Sequence, residues 1–137
     1  MKLLRRFLIG LLVLMVVLSI LPFLIPIRED GLPASQLVND PDGQFITLQG
    51  VNVYYEDKGN PDAPAVLLVH GLFGSTEVWR YNVDALADAG YRVITYDRPG
   101  FGLSDKSESY NYGMDNQIDL MAQLMDALAI ESAVVVG

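Results

Sequence analysis

Residues 65–75 read Ala-Val-Leu-Leu-Val-His-Gly-Leu-Phe-Gly-Ser, an apolar run that ends in a histidine and a glycine-bounded turn. A short, continuous apolar run is typical of a strand that is covered on both faces of a sheet. Further strands are predicted at 92–96 and 133–136, with an amphipathic segment before each of them. Alternating strands and amphipathic helices predict an α/β fold, a mostly parallel sheet with helices on its faces.

The segments around these strands complete the pattern. Apolar residues recur at helical spacing between 79 and 90 and again between 114 and 128. Residues 45–48 and 51–55 flank Gln49–Gly50 and predict a hairpin ahead of the first buried strand. The expected order is therefore hairpin, strand, helix, strand, helix, strand, with ligand sites at the carboxyl ends of the parallel strands.

The N-terminal segment has a composition of its own. Residues 7–27 contain no charge and a single hydroxyl, Ser19, and three basic residues precede them. As a helix, these 21 residues would span roughly 31 Å at about 1.5 Å each, close to the hydrocarbon thickness of a bilayer. Pro22 and Pro26 are expected to kink or end that helix, which leaves 7–21 as its regular part, a length that also fits a signal-peptide core.

Two interpretations of this segment stay open, an uncleaved anchor and a cleaved signal. The small-residue cleavage pattern is poor around residues 21–26 and at Ala34, which favours the anchor. Basic residues precede the apolar segment, and residues 28–30 after it carry a net charge of −1. The positive-inside rule then predicts a single-pass membrane protein with everything beyond Ile27 on the non-cytoplasmic side, or a secreted protein after cleavage.

Composition divides the chain into three parts. Residues 1–27 are the anchor or signal segment, 28–44 a tether with glycines and prolines among polar residues, and 45–137 part of an α/β domain. The formal net charge is −8, and six basic and seventeen acidic side chains from Arg28 onward give that part −11. Such a surface repels nucleic-acid phosphates, so we expect no nucleic-acid partner. The absence of cysteine excludes disulfides and thiolate metal sites, and we expect no metal or cofactor.

The candidate chemistry begins where the first buried strand ends. Gly71 and Gly74 let the backbone come close to a ligand, so that the N–H of Leu72 can point at developing negative charge. A plain strand-to-helix turn is the alternative. His70, the one histidine of the chain, sits at a strand end, and we interpret it as a structural brace for this loop. A phosphate-binding loop is disfavoured because residues 74–76 lack the lysine of a Walker sequence.

A second glycine-rich loop follows the next strand. Residues 97–105 read Asp-Arg-Pro-Gly-Phe-Gly-Leu-Ser-Asp, and Asp105 stands where a dinucleotide-binding loop has its third glycine. A carboxylate there would oppose a pyrophosphate. Asp97 invites a catalytic role, but an aspartate before a Pro-Gly turn is expected to accept backbone N–H bonds locally. Trp79, at helical spacing, is expected in the core.

These features together resemble one family. The strand that leads into His70 and Gly71, Trp79, the segment 97–105 and the closing Val-Val-Val-Gly at 134–137 resemble the α/β-hydrolase superfamily. The resemblance is to its branch of single-domain esterases, lipases, epoxide hydrolases and dehalogenases. It covers 45–137, and the segment 97–105 is its most specific piece.

The resemblance implies the N-terminal part of an α/β-hydrolase fold, ending just before the nucleophile elbow. A nucleophile, usually serine, is then expected directly after Gly137, and an acid and a histidine further on. The catalytic residues would lie beyond this chain, and His70, Gly71 and Leu72 would form the oxyanion loop, with one donor from the Leu72 N–H. The chain as given is therefore expected to be inactive by itself.

The implied function is that of a membrane-anchored hydrolase with its catalytic domain outside the cytoplasm. It would split a carboxylic ester or a similar small apolar substrate through a covalent intermediate. One alternative is an epoxide hydrolase or dehalogenase, in which an aspartate replaces serine as the nucleophile. The other is a catalytically inactive binding module that uses the same sheet.

Overall fold

Helix α1, Lys2–Leu24, is formed by the apolar N-terminal segment. The structure, a computed structural model, describes residues 2–25, 34–38 and 41–137, and the chain divides into two units, 1–31 and 32–137. The described residues of α1 are all exposed, and α1 is long and apolar enough to cross a membrane, a test that signal sequences also pass.

The bounds of α1 correct the prediction of a regular helix over 7–21. The helix begins at Lys2 because residues 2–6 are all good helix formers. It continues through Pro22 to its end at Leu24, since a proline in the last turn removes only one intrahelical hydrogen bond. Pro26 lies outside the described residues.

The second unit is built on a mixed five-stranded sheet with the strand order β1-β2-β4-β3-β5. Strands β1 and β2 form the predicted antiparallel hairpin, and β2 also pairs antiparallel with β4. Strand β3 runs parallel to both β4 and β5. The predicted α/β architecture, a hairpin followed by a parallel sheet, is confirmed. The strands are β1 (Gly43–Leu48), β2 (Val51–Lys58), β3 (Ala65–Val69), β4 (Arg92–Tyr96) and β5 (Ala133–Val136).

Helices cover both faces of the sheet. Alternate side chains of β3 point to opposite faces, so Leu67 joins the core cluster under helix α4 (Met114–Ala127), whereas Val66 and Leu68 pack with helix α3 (Val83–Asp88). The predicted single helix over 79–90 is wrong, because a 3₁₀ turn, Thr76–Trp79, precedes the short α3. Helical periodicity in the sequence does not distinguish these two forms.

The segment predicted as an irregular tether, 28–44, contains regular structure. A four-residue helix, α2, occupies Ala34–Leu37, and β1 begins at Gly43 rather than at residue 45. The strand starts earlier because β2 is longer than predicted, and its polar residue Glu56 pairs with Gly43. Residues 28–33 and 39–40 lie outside the described part of the chain.

Candidate active site

The candidate site lies at the carboxyl edge of the parallel strands. Strands β3, β4 and β5 end at this edge, and His70, Asp97 and Gly137 follow them directly. Gly137 lies beside the end of β3, since a Cβ atom added to it would be 3.3 Å from the Val69 carbonyl oxygen. The sheet therefore brings the two predicted loops and Gly137 to one place.

His70 is locked in the loop by both of its ring nitrogens. Its side chain is 2% exposed, and the Arg98 backbone N–H donates to Nε2 at 3.0 Å. Because a backbone N–H can only donate, Nε2 is the acceptor, and Nδ1 carries the proton that it donates to the Gly71 carbonyl at 2.8 Å. The Phe101 ring packs edge-on against the imidazole. This geometry is that of a brace between the two loops.

Residues 71–74 form a tight turn at the end of β3. The Gly74 N–H donates to the Gly71 carbonyl at 3.2 Å, and Phe73 adopts a left-handed backbone with φ of 60°. A non-glycine residue adopts this conformation at a cost, which functional loops frequently carry. No described residue accepts a hydrogen bond from the Leu72 N–H. That donor is therefore available to a ligand at the carboxyl edge.

Asp97 holds the two loops together from within. Its buried carboxylate, 1% exposed, accepts the Thr76 N–H at 2.6 Å and the Leu103 N–H at 2.7 Å. The Leu103 bond is the local contact expected from the sequence, whereas Thr76 belongs to the other loop. The Ser104 hydroxyl donates to the Asp97 carbonyl at 2.5 Å and accepts the Tyr54 N–H, which ties the second loop to β2. All these contacts position the loops and leave the carboxylate without access to a substrate.

Gly102 is required by the same contact. Its backbone has φ of 50°, and a Cβ atom added to it would lie 1.9 Å from the Asp97 carboxylate. Tyr96, directly before Asp97, is also enclosed, and burial raises the pKa of its phenol to about 12. The floor of the site is therefore formed by enclosed, closely packed groups. Within the described ranges, no group of three or more metal-ligating side chains occurs.

An open cleft of about 470 Å³ lies beside the Leu72 turn. Sequence reasoning missed it, because its walls come from the two loops and from α4. The available signal was two basic residues of an acidic chain, Arg98 within the glycine-rich segment 97–105 and Lys106 directly after it. The cleft is lined by Leu72, Arg98, Gly100, Phe101, Lys106, Tyr112 and Gln117.

Comparison with known proteins identifies the fold. The profile of the family described as alpha/beta hydrolase fold matches residues 64–137, which include β3, β4, β5 and both loops. This match covers more than half of the chain. The chain belongs to the alpha/beta hydrolase family. The resemblance noted in the sequence is thereby confirmed.

Individual relatives of this alpha/beta hydrolase chain agree. The AB hydrolase superfamily protein YfhM of Bacillus subtilis is 35% identical over 69% of the chain and 33% of its own length. Epoxide hydrolase A of Mycobacterium tuberculosis is 35% identical over 71% of the chain and 30% of its own length. A solved meta-cleavage product hydrolase from Pseudomonas fluorescens superposes with a TM-score of 0.63 at 40% identity, over 69% of this chain and 35% of that one. The chain thus spans about a third of the length of these relatives.

Proposed function

We propose that the whole protein containing this alpha/beta hydrolase chain splits a carboxylic ester, or a similar small apolar substrate, through a covalent intermediate. The observation that carries the proposal is the Leu72 N–H, which has no acceptor among the described residues and lies at the carboxyl edge of the sheet. A preorganised donor in a rigid turn stabilises the negative charge that develops on a carbonyl oxygen during attack.

The proposed nucleophile belongs to an elbow that opens at Gly137. Support comes from the position of Gly137, which follows β5 and lies beside Val69, one strand away from the oxyanion loop. Attack by the nucleophile on the substrate carbonyl moves charge onto the carbonyl oxygen, where the Leu72 N–H would donate. His70 takes no proton in this scheme, because both ring nitrogens are engaged in bracing the loops. Its role, together with Gly71, is to position Leu72.

An epoxide hydrolase is the second candidate, favoured by the relative from Mycobacterium tuberculosis that bears this name. In that case an aspartate would replace serine as the nucleophile, and the oxyanion would form during hydrolysis of the enzyme ester. The two candidate enzymes differ in their substrate and in their reaction with a covalent inhibitor. A fluorophosphonate should modify a serine nucleophile and spare an aspartate.

We also propose the predicted division into an anchor over 1–27, a connecting segment and a catalytic domain, with the boundary between the last two moved from residue 45 to Gly43, where β1 begins. Helix α1 supports the anchor by its length and apolar composition. The basic residues before it favour a catalytic domain on the non-cytoplasmic side. Intact mass of the protein recovered from the membrane fraction and from the medium tests the anchor. An anchored protein should stay in the membrane fraction with its full mass, whereas a protein in the medium that lacks the N-terminal mass would indicate a cleaved signal.

Hydrolysis of p-nitrophenyl butyrate by the whole protein tests the proposed reaction. Leu72→Pro removes the backbone donor and should lower kcat by about 100-fold or more, whereas the matched variant Leu72→Ala keeps the donor and should change it little. Circular dichroism must first show that the proline variant is folded. A folded Leu72→Pro enzyme of normal rate would refute the oxyanion role. Residues 1–137 alone should show no turnover, because the described residues place no nucleophile against His70.

A further inference from the structure

The basic residues of the second unit fall into two groups. Lys58, Arg80 and Arg92 each form an ion pair with a carboxylate. The other two bases in 41–137, Arg98 and Lys106, form none with any described residue, and both line the cleft beside the Leu72 turn. In a chain with a formal net charge of −8, two uncompensated cations in one cleft are a local reversal of the surface charge.

The Arg98 guanidinium is held in place but not satisfied. It lies over the Phe101 ring at 5.3 Å, and Nη1 donates to the Gln117 side-chain oxygen at 3.2 Å. Its Nε is buried without a hydrogen-bond partner, and Nη2 has none among the described residues. A buried N–H without a partner is costly. The terminal guanidinium nitrogen Nη2 keeps free donors, and such a donor forms a charge-assisted hydrogen bond with a carboxylate oxygen.

Lys106 is fixed at the rim of the same cleft. Its ammonium donates to the carbonyl oxygens of Gly102, at 2.7 Å, and Ser104, at 3.3 Å, so its charge is positioned without being neutralised. The acidic residues of the same loop are occupied elsewhere. Asp97 accepts two backbone N–H groups, and Asp105 accepts the Asn52 N–H at 2.8 Å.

We propose that this cleft binds a carboxylate carried by the substrate, with Arg98 as the main contact. The aromatic rings of Phe101 and Tyr112 and the Leu72 side chain form the apolar wall beside it. The substrate class is then an ester that bears a free carboxylate on a short apolar or aromatic group. The assignment of the scissile group rests on the proposed hydrolase function, since Leu72, which carries the proposed oxyanion donor, lines the cleft. The carboxylate site itself depends only on the contacts of Arg98 and Lys106.

Equilibrium binding of benzoate to the full 137-residue chain in detergent micelles tests the site. Arg98→Gln keeps the backbone N–H that braces His70 and should weaken benzoate binding by about 10- to 100-fold, the effect of losing a charge-assisted contact. Arg80→Gln removes an equal charge outside the cleft and should leave the affinity unchanged. Benzamide, the neutral isostere, should bind the parent chain as weakly as benzoate binds Arg98→Gln.

Three outcomes would overturn the proposal: equal affinity for benzoate and benzamide, unchanged affinity in folded Arg98→Gln, or inorganic phosphate binding as tightly as benzoate. The last would show an anion site without an apolar wall. If Arg98→Gln does not fold, Lys106→Gln takes its place, with a smaller expected loss and the same contradicting result. Because the readout is binding, it succeeds or fails independently of butyrate ester turnover, which tests the hydrolase proposal.

Discussion

Replacing Asp97 should separate a structural carboxylate from a catalytic one. The side chain accepts the Thr76 N–H at 2.6 Å and the Leu103 N–H at 2.7 Å and is almost fully buried. Asp97→Asn keeps one acceptor oxygen and turns an amide NH₂ toward the other donor. Asp97→Ala removes both acceptors and leaves two loop N–H groups without partners.

The magnitude follows from these contacts. A hydrogen bond to a charged group contributes about 1.5–3 kcal/mol, so Asp97→Asn should lower the free energy of unfolding by about 2 kcal/mol. Asp97→Ala should lower the free energy of unfolding by about 4 kcal/mol. This is less than the loss of two such hydrogen bonds at about 3 kcal/mol each, because water can reach the N–H of the partly exposed Leu103. Domains are stable by about 5–15 kcal/mol in total, so the alanine variant approaches the limit of folding.

Urea unfolding of the full chain in micelles, followed by fluorescence, measures this cost. Trp79 is the one tryptophan and lies in the 3₁₀ turn that begins at Thr76, so its emission reports on the second unit. The matched control is Asp119→Asn, an exposed aspartate of α4, which should change stability by less than about 0.5 kcal/mol. An Asp97→Ala protein as stable as this control would refute the account of how the two loops are held.

Gly102→Ala should destabilise the domain more than Gly50→Ala in the same urea assay. Both glycines have positive φ, so alanine at either position costs about 1–2 kcal/mol in backbone strain, but only at Gly102 would the added Cβ lie 1.9 Å from a carboxylate oxygen. Equal losses of stability in the two variants would contradict the close approach of Asp97 to Gly102. Burial raises the pKa of Tyr96 to about 12. The protonated Tyr96 phenol therefore contributes fully to the free energy of unfolding below a pH of about 10, and this contribution, up to about 3 kcal/mol, is lost as the pH rises through about 12. Tyr96→Phe should flatten that alkaline loss in urea titrations, and an unchanged pH profile would refute it. Asp57→Asn leaves the buried Arg92 guanidinium without its carboxylate, 2.6 Å away, and should cost about 3 kcal/mol; a loss below 1 kcal/mol would be inconsistent with a buried pair.

The three parallel strands β3, β4 and β5 could be predicted to the residue. Strands β3 (Ala65–Val69) and β5 (Ala133–Val136) have the predicted bounds, because both are short, continuous apolar runs rich in valine. Strand β3 is buried, whereas Val134, Val135 and Val136 of β5 are exposed at the edge of the described sheet. Helix α4 ends one residue earlier than predicted. Local sequence patterns therefore suffice to predict the bounds of an element where its apolar residues form a continuous run or recur at helical spacing.

The turn at Thr76–Trp79 could not be predicted, because it depends on contacts distant in sequence. The N–H that opens this turn bonds to Asp97, 21 residues away. The Arg98–Gln117 contact that shapes the cleft spans 19 residues. Such pairings arise only when the sheet brings two loops to one edge, so the sequence located the loops and the oxyanion candidate but not the cleft between them.

The amide resonance of Leu72 reports directly on the proposed oxyanion donor. The whole protein, enriched in ¹⁵N and reacted with a fluorophosphonate, would carry a phosphonyl oxygen at the position where the oxyanion forms. Intact mass would verify that every molecule carries the phosphonyl group. We expect the Leu72 amide proton to move downfield and its exchange with solvent to slow, because it gains a charge-assisted hydrogen bond. An unchanged Leu72 resonance in a fully labelled sample would contradict the assignment of the oxyanion donor.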